Sequence, residues 1–184
     1  WENVSFVAEP VHNLLHADKL RSNGATQKAS RIFSNKEFLA SKDPWFRPVS
    51  FFVGPDGALY VIDYYRKIIE HPEWMSDEVN RSGQLYTGSN QGRIYRITPK
   101  ETASPEFAGK KLLDVDDAQM LIKNLSSTNG WYRKNARRIL SHQKDSKNTI
   151  ALRNLIQDSD SIGAVQALYV LNSTDELSDD DILK

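Results

Sequence analysis

The chain has 184 residues and 21.0 kDa, 39% of it hydrophobic and 26% charged, the composition of a folded protein rather than a disordered one. Its 24 Lys and Arg balance 24 Asp and Glu, which leaves no basic surplus for nucleic acid and no acidic tail. Cysteine is absent, which excludes disulfides, thiolate metal sites and a cysteine nucleophile. No apolar run approaches the roughly 18–20 residues of a membrane span.

No signal peptide opens the chain, which begins at Trp1. At the other end, Ser178-Asp179-Asp180-Asp181 has the Ser cap and acidic first turn of a helix, which Lys184 cuts short. Both ends are read as cuts within a longer chain.

The first hundred residues carry strand signals. Val4 to Ala8 alternates at period two, and Arg31-Ile32-Phe33 is a weaker candidate. Pro48 to Val53 and Ala58 to Asp63 flank Gly54-Pro55-Asp56-Gly57. Pro at the second turn position and Gly at the fourth predict a type I turn, with Gly57 free to take positive φ, so the pair reads as a β-hairpin. Gly92 to Ile97 alternates and predicts the next strand. Between them, residues 64–91 form an insertion rich in charged and aromatic residues, and Ile68 to Glu70 could extend a strand or form a helical turn. A loop of that length in a compact domain is commonly functional.

Pro99 to Lys111 has the composition of a linker. Beyond it the period becomes helical. Ala118, Leu121, Ile122 and Leu125 fall at i, i+3, i+4 and i+7. Similar spacing predicts helices starting near 117, 131, 148 and 161, with Asp116, Asn129, Ser146 and Ser161 as caps. First to third and second to fourth are both about thirty residues apart, the spacing of stacked two-helix repeats, with a four-helix bundle as the alternative.

Several words in this sequence resemble a bacterial family. They are Phe38 to Val49 with Asp43-Pro44-Trp45-Phe46-Arg47, Gly54 to Arg66, Ile69-Glu70-His71-Pro72-Glu73-Trp74, Gly92 to Ile97, and Asn129-Gly130-Trp131-Tyr132-Arg133. The opening Phe6 to Asn13 fits as well. The family is that of large secreted membrane-bound dehydrogenases of planctomycete, verrucomicrobial and Bacteroidetes-type genomes. They combine a propeller, similar to the sugar and sorbosone dehydrogenases that use pyrroloquinoline quinone, with HEAT-like repeats. Many add a c-type cytochrome domain.

The resemblance implies an α+β multidomain chain. Residues 1–100 would be closing blades of an antiparallel β-propeller, 101–113 a linker, and 114–184 α-helical HEAT-like repeats. It implies a periplasmic or secreted parent that oxidises a carbohydrate or other small polyol, with pyrroloquinoline quinone and calcium, and passes electrons to a cytochrome. The alternative is a non-catalytic propeller that binds glycan or protein, with a helical docking module. No membrane span and no nucleic-acid partner are expected. This polypeptide alone is expected to be inactive and to hold no cofactor, because the catalytic base would lie in blades it lacks.

Candidate residues follow. Arg47 carries a guanidinium fork suited to an anionic cofactor, or it pairs with Asp43 or Asp63. Asp63 and Arg66 lie at a strand end and join Arg47 as cofactor-binding candidates, unless Asp63 caps a turn or pairs with Arg66. No Asp-x-Asp-x-Asp loop supports calcium, and no metal site is expected. Tyr64, Tyr65, His71 and Trp74 are candidates for substrate. His71 between Glu70 and Glu73 has the makings of a general base or of a hydrogen-bonded loop. His12 and His16 would suit zinc only on a helix, a context that Pro10 weakens. Trp45, Phe46 and Trp74 could stack on sugar or belong to the core. Trp131 and Tyr132 read as packing residues. The basic stripe of Arg133, Lys134, Arg137 and Arg138 reads as a solvated face.

Overall fold

A computed structural model describes residues 3–100, 111–157 and 162–183. Most of the expected linker and the Ser161 cap lie outside these residues. The described chain falls into two units. One takes the residues to Phe52 together with Leu59–Ile97, and the other takes Val53–Ala58 with the residues from Thr98 onward. The architecture is α+β: two small antiparallel sheets, then a helical segment.

The first sheet holds β1 (Val4–Glu9), β2 (Leu14–Asn23), β3 (Thr26–Arg31) and β4 (Leu39–Ala40). β2 is its spine, with β1 on one edge and β3 and β4 on the other. The expected strand at Arg31–Phe33 is corrected to β3, which ends at Arg31. Alternation along β2 buries Leu15 and Ala17 on one face and leaves His16 and Asp18 on the other. Phe6 of β1 packs edge-on against Phe38 at 4.9 Å.

His16 bridges two carboxylates. Its Nε2 lies 3.0 Å from Asp18 and its Nδ1 2.6 Å from Glu37, which also pairs with Arg31. The Glu37 hydrogen bond leads in raising the His16 pKa above 6.5, against burial and with help from Asp18. The same bond leads in lowering Glu37 below 4.5. A raised histidine stabilises the fold below its unfolded value, and that contribution is lost as pH climbs through the folded one. A lowered Glu contributes above its unfolded value and is lost as pH falls through the folded one. The first unit is therefore expected to melt at a lower temperature at about pH 9 than at about pH 6. His16→Gln should flatten that difference, and an unchanged profile in the variant would refute it.

The second sheet is a meander of β5 (Pro48–Val53), β6 (Leu59–Asp63) and β7 (Arg93–Ile97). The expected turn joins β5 to β6, with the Gly57 N–H donating to Gly54 O at 3.0 Å and Gly57 at φ 77. The insertion before β7 is not structureless. It holds 3-10 turns at Pro72–Trp74 and Gln84–Tyr86, and α1 (Asp77–Arg81) capped by Ser76. Residues 68–70 are neither strand nor helix.

The helical segment comprises α2 (Ala118–Asn124), α3 (Gly130–Gln143), α4 (Thr149–Ile156), α5 (Ile162–Ser173) and α6 (Asp179–Ile182). Leu121 and Leu125, Ala136 and Leu140, Leu152 and Ile156, and Ala167, Val170 and Leu171 meet in one core. These are the positions that the 3.6-residue period brings to one face of each helix. Two caps differ from expectation. Asp117 rather than Asp116 accepts from Met120 N, and Asp145 rather than Ser146 caps the 3-10 turn before α4. In both places the neighbouring Asp points its carboxylate back at the free amides. Ser178 forms a capping box with Asp181, whose carboxylate also pairs with Arg153 Nε at 3.1 Å.

Asn129 has two tasks. Its side-chain oxygen accepts from Trp131 N at 2.8 Å and starts α3. Its Nδ2 donates to Gly54 O and Pro55 O, both at 3.0 Å, so it grips the hairpin turn. Asn129→Ala is expected to cost about 1–3 kcal/mol, through the cap and the two lost donors. Asn129→Asp keeps the cap but faces a carboxylate onto two carbonyls, and should cost about 1–2 kcal/mol. Chemical denaturation compares the three proteins. An Asp variant as stable as the parent would show that the turn contacts contribute nothing.

Candidate functional site

The residues singled out from the sequence gather where β6 ends and the insertion begins. Asp63, the last residue of β6, is 1% exposed. One carboxylate oxygen accepts from Arg47 N at 2.8 Å and Tyr65 N at 2.9 Å. The other accepts from Arg93 Nε at 3.1 Å and Nη2 at 3.0 Å. Register makes this pairing, because Asp63 and Arg93 stand opposite each other on β6 and β7. Arg93 stacks on the Tyr65 ring, 3.9 Å from its centroid, and reaches Asp43 at 3.5 Å. Burial works hardest against the Arg93 charge, but the Asp63 hydrogen bond and charge, together with Tyr95 and Asp43, outweigh it and raise its pKa. Asp43 is held low, first by its hydrogen bond from Trp45 N and then, against burial, by Tyr65 and Arg93. Burial, followed by the Asp43 charge, pushes Tyr65 up.

Two further arginines serve the main chain. Arg47 donates to the carbonyls of Pro10, Val11, Arg66 and Lys67 at 2.8–3.1 Å. Arg66 donates to the carbonyls of Tyr64, Tyr65, Gly88 and Ser89. Tyr65, at φ 49, turns the chain out of β6 so that these carbonyls converge on the Arg66 guanidinium. Gly88 must pass close to them. A Cβ there would lie 2.6 Å from Tyr65 O.

The ion pairs expected of Arg47 with Asp43 or Asp63, and of Arg66 with Asp63, are thus replaced. Arg93 pairs with both acids, and Asp63 meets Arg47 through its backbone N–H. Sequence reasoning missed Arg93, although its place opposite Asp63 follows from pairing the two strands. Arg47, Asp63 and Arg66 do not fit an anionic quinone or a calcium ion here. The guanidinium groups are engaged by carbonyls, and both Asp63 oxygens are filled by N–H donors.

Two open clefts flank this stitched region and share Tyr64. One, of about 260 Å³, is lined by Asp63, Tyr64, Arg66, Ser89 and Arg93 among others. The second, of about 430 Å³, is lined by Tyr64, Ile68, Ile69, Glu70, His71 and Leu85 among others. Tyr64 is 47% exposed, with the Arg66 guanidinium 4.2 Å from its ring centroid. The second cleft combines apolar lining residues, the two Ile and Leu85, with Glu70 and His71. His71 Nδ1 also accepts from Glu73 N at 3.4 Å and caps the 3-10 turn.

The other candidates scatter. Trp74 is 77% exposed and lines neither cleft. Phe46 is core at 3% exposure, and Trp45 packs its ring against Tyr65. His12 pairs with Glu9, and His16 lies on a strand, so the two make no helical zinc pair. In the helical segment Trp131 and Tyr132 pack edge to face, Arg133 donates to Ser127 O and Thr128 O, and Arg137 sits over Tyr169. Among the described residues no helix is long and apolar enough to cross a membrane.

These features define an α+β protein whose first part is two small antiparallel sheets with an arginine-stitched insertion and two surface clefts. Residues 1–101 match the model of a domain of unknown function, DUF7133, and the chain belongs to that family. No match was found among curated proteins or among solved structures.

Proposed function

We propose that this segment binds carbohydrate, or another small polyol, at the paired clefts around Tyr64 and performs no turnover of its own. In this reading the two sheets are closing blades of a β-propeller and the helices a short HEAT-like stack. The parent is a secreted or periplasmic bacterial protein similar to the membrane-bound dehydrogenases. The observation that carries the reading is the second cleft itself. An aromatic ring and aliphatic side chains suit the CH face of a pyranose, and Glu70 and His71 in the same lining suit its hydroxyls.

A redox parent that uses pyrroloquinoline quinone and a cytochrome would have to take its quinone ligands from other residues, since Arg47, Asp63 and Arg66 are committed to the fold. The test is a glycan array with the whole polypeptide. Retention of a defined set of oligosaccharides is expected, lost in Tyr64→Ala and in His71→Ala. No retention, or retention indifferent to both substitutions, would remove the reading. So would sugar-dependent dye reduction by this polypeptide with quinone and calcium added.

A further inference from the structure

The smaller cleft beside Tyr64 is unevenly supplied with hydrogen-bonding groups. Its lining includes Asp63, Tyr64, Arg66, Ser89, Arg93 and Ile94. The one carboxylate among them is spent, because each Asp63 oxygen takes two N–H donors and the side chain is fully buried. The donors are not spent. Arg93 uses Nε and Nη2 on Asp63 and Asp43, and its Nη1 meets no acceptor among the described residues. Arg66 uses both Nη atoms on carbonyls, and its Nε meets none either. The hydroxyls of Tyr64 and Ser89 have no partner among the same residues.

Charge is uneven as well. Asp63 answers Arg93. A carbonyl accepts an N–H but carries no net charge, and among the described residues no carboxylate pairs with Arg66. Arg66 stays committed to the fold, yet its charge still acts on whatever enters the cleft. The larger cleft has the opposite character, since Glu70 is exposed in its lining. Tyr64 belongs to both.

We infer that the sugar bound at Tyr64 is acidic, an oligosaccharide in which a uronic acid adjoins a neutral residue. The uronic acid carboxylate lies in the smaller cleft, toward Arg93 Nη1 and Arg66 Nε. The neutral ring lies in the larger one, where Glu70 disfavours a second anion. This rests on the carbohydrate reading above and narrows it to a ligand class. A hydrogen bond from a guanidinium to a carboxylate is about twice as strong as one between neutral groups, so the charge itself carries the selection.

Oligosaccharides with one glucuronic or one galacturonic acid among neutral sugars, each beside its methyl ester, test this by titration calorimetry with the whole polypeptide. The ester removes the charge and keeps the sugar. At least one acid is expected to bind about tenfold tighter than its ester, with the gap narrowing in high salt. Ile94, 66% exposed in the cleft lining, reports on the place of the charge. Ile94→Glu should bring the ratio of acid to ester affinity close to one, and Ile94→Gln should keep it, both with the parent's circular dichroism spectrum. Equal affinity for acid and ester, or tighter binding of the esters, overturns the inference and leaves the carbohydrate reading standing. A preference for the acid that Ile94→Glu leaves intact overturns it too, because the carboxylate would then sit elsewhere. If none of these sugars binds, the inference fails, and the glycan array decides separately whether any carbohydrate does.

Discussion

Asp63→Ala is expected to cost the first unit about 3–5 kcal/mol. The carboxylate is 1% exposed and accepts four hydrogen bonds. Its removal leaves the N–H groups of Arg47 and Tyr65 unpaired and takes the main counter-charge from Arg93. Tyr65 has positive φ, so it also loses the bond that holds its turn. Asp63→Asn keeps an acceptor but turns an NH2 toward N–H donors, and should cost less, about 2–3 kcal/mol. Hydrogen exchange at the Arg47 and Tyr65 amides reports the loss locally, apart from the helical unit. If both amides remain as protected in Asp63→Ala as in the parent, the assignment fails.

Arg47→Lys should cost about 2–4 kcal/mol although it preserves the charge. The guanidinium spans carbonyls from two segments, Pro10 and Val11 on one side and Arg66 and Lys67 on the other. An ammonium group cannot reach both sets with comparable geometry, and it leaves carbonyls unsatisfied. The readout is the urea midpoint of the first unit, followed by the exchange of amides in residues 9–13 and 64–67. A ligand-contacting arginine would give the opposite pattern, with stability unchanged and binding lost. A Lys variant of parental stability would therefore restore Arg47 to the list of binding candidates.

Elements whose local chemistry agrees with their surroundings were legible in the sequence. The Gly54–Gly57 turn, the alternating β7, the Asn129 cap and the Ser178 helix start all follow from residue type and spacing. The β2–β3 hairpin was not anticipated. β3 is exposed throughout and polar, so no alternation marks it, and its order comes from pairing with β2. The available signal was Asn23-Gly24, with Gly24 at φ 61 in the first position of a two-residue loop.

At the site, residue types suggested ligand chemistry because Arg, Asp and Tyr clusters serve ligands and folds alike. What decided the matter was the partner of each group, and for Arg47 and Arg66 those partners are carbonyls, which every residue type carries. Tyr64 and His71 came together in one cleft because the insertion folds back through its capped turns, a tertiary event that spacing does not encode.

Stitching side chains to carbonyls has a consequence for how such a sequence can vary. An ion pair ties two positions to each other, so change at one demands change at its mate. A guanidinium whose hydrogen bonds go to peptide oxygens leaves the side chains of those residues outside any such bargain. Positions 10, 11 and 89 can then change side chain while Arg47 and Arg66 stay put, with Gly88 kept by its crowding against Tyr65 O. The insertion is in this sense a frame whose lettering can be replaced without re-engineering the hinges.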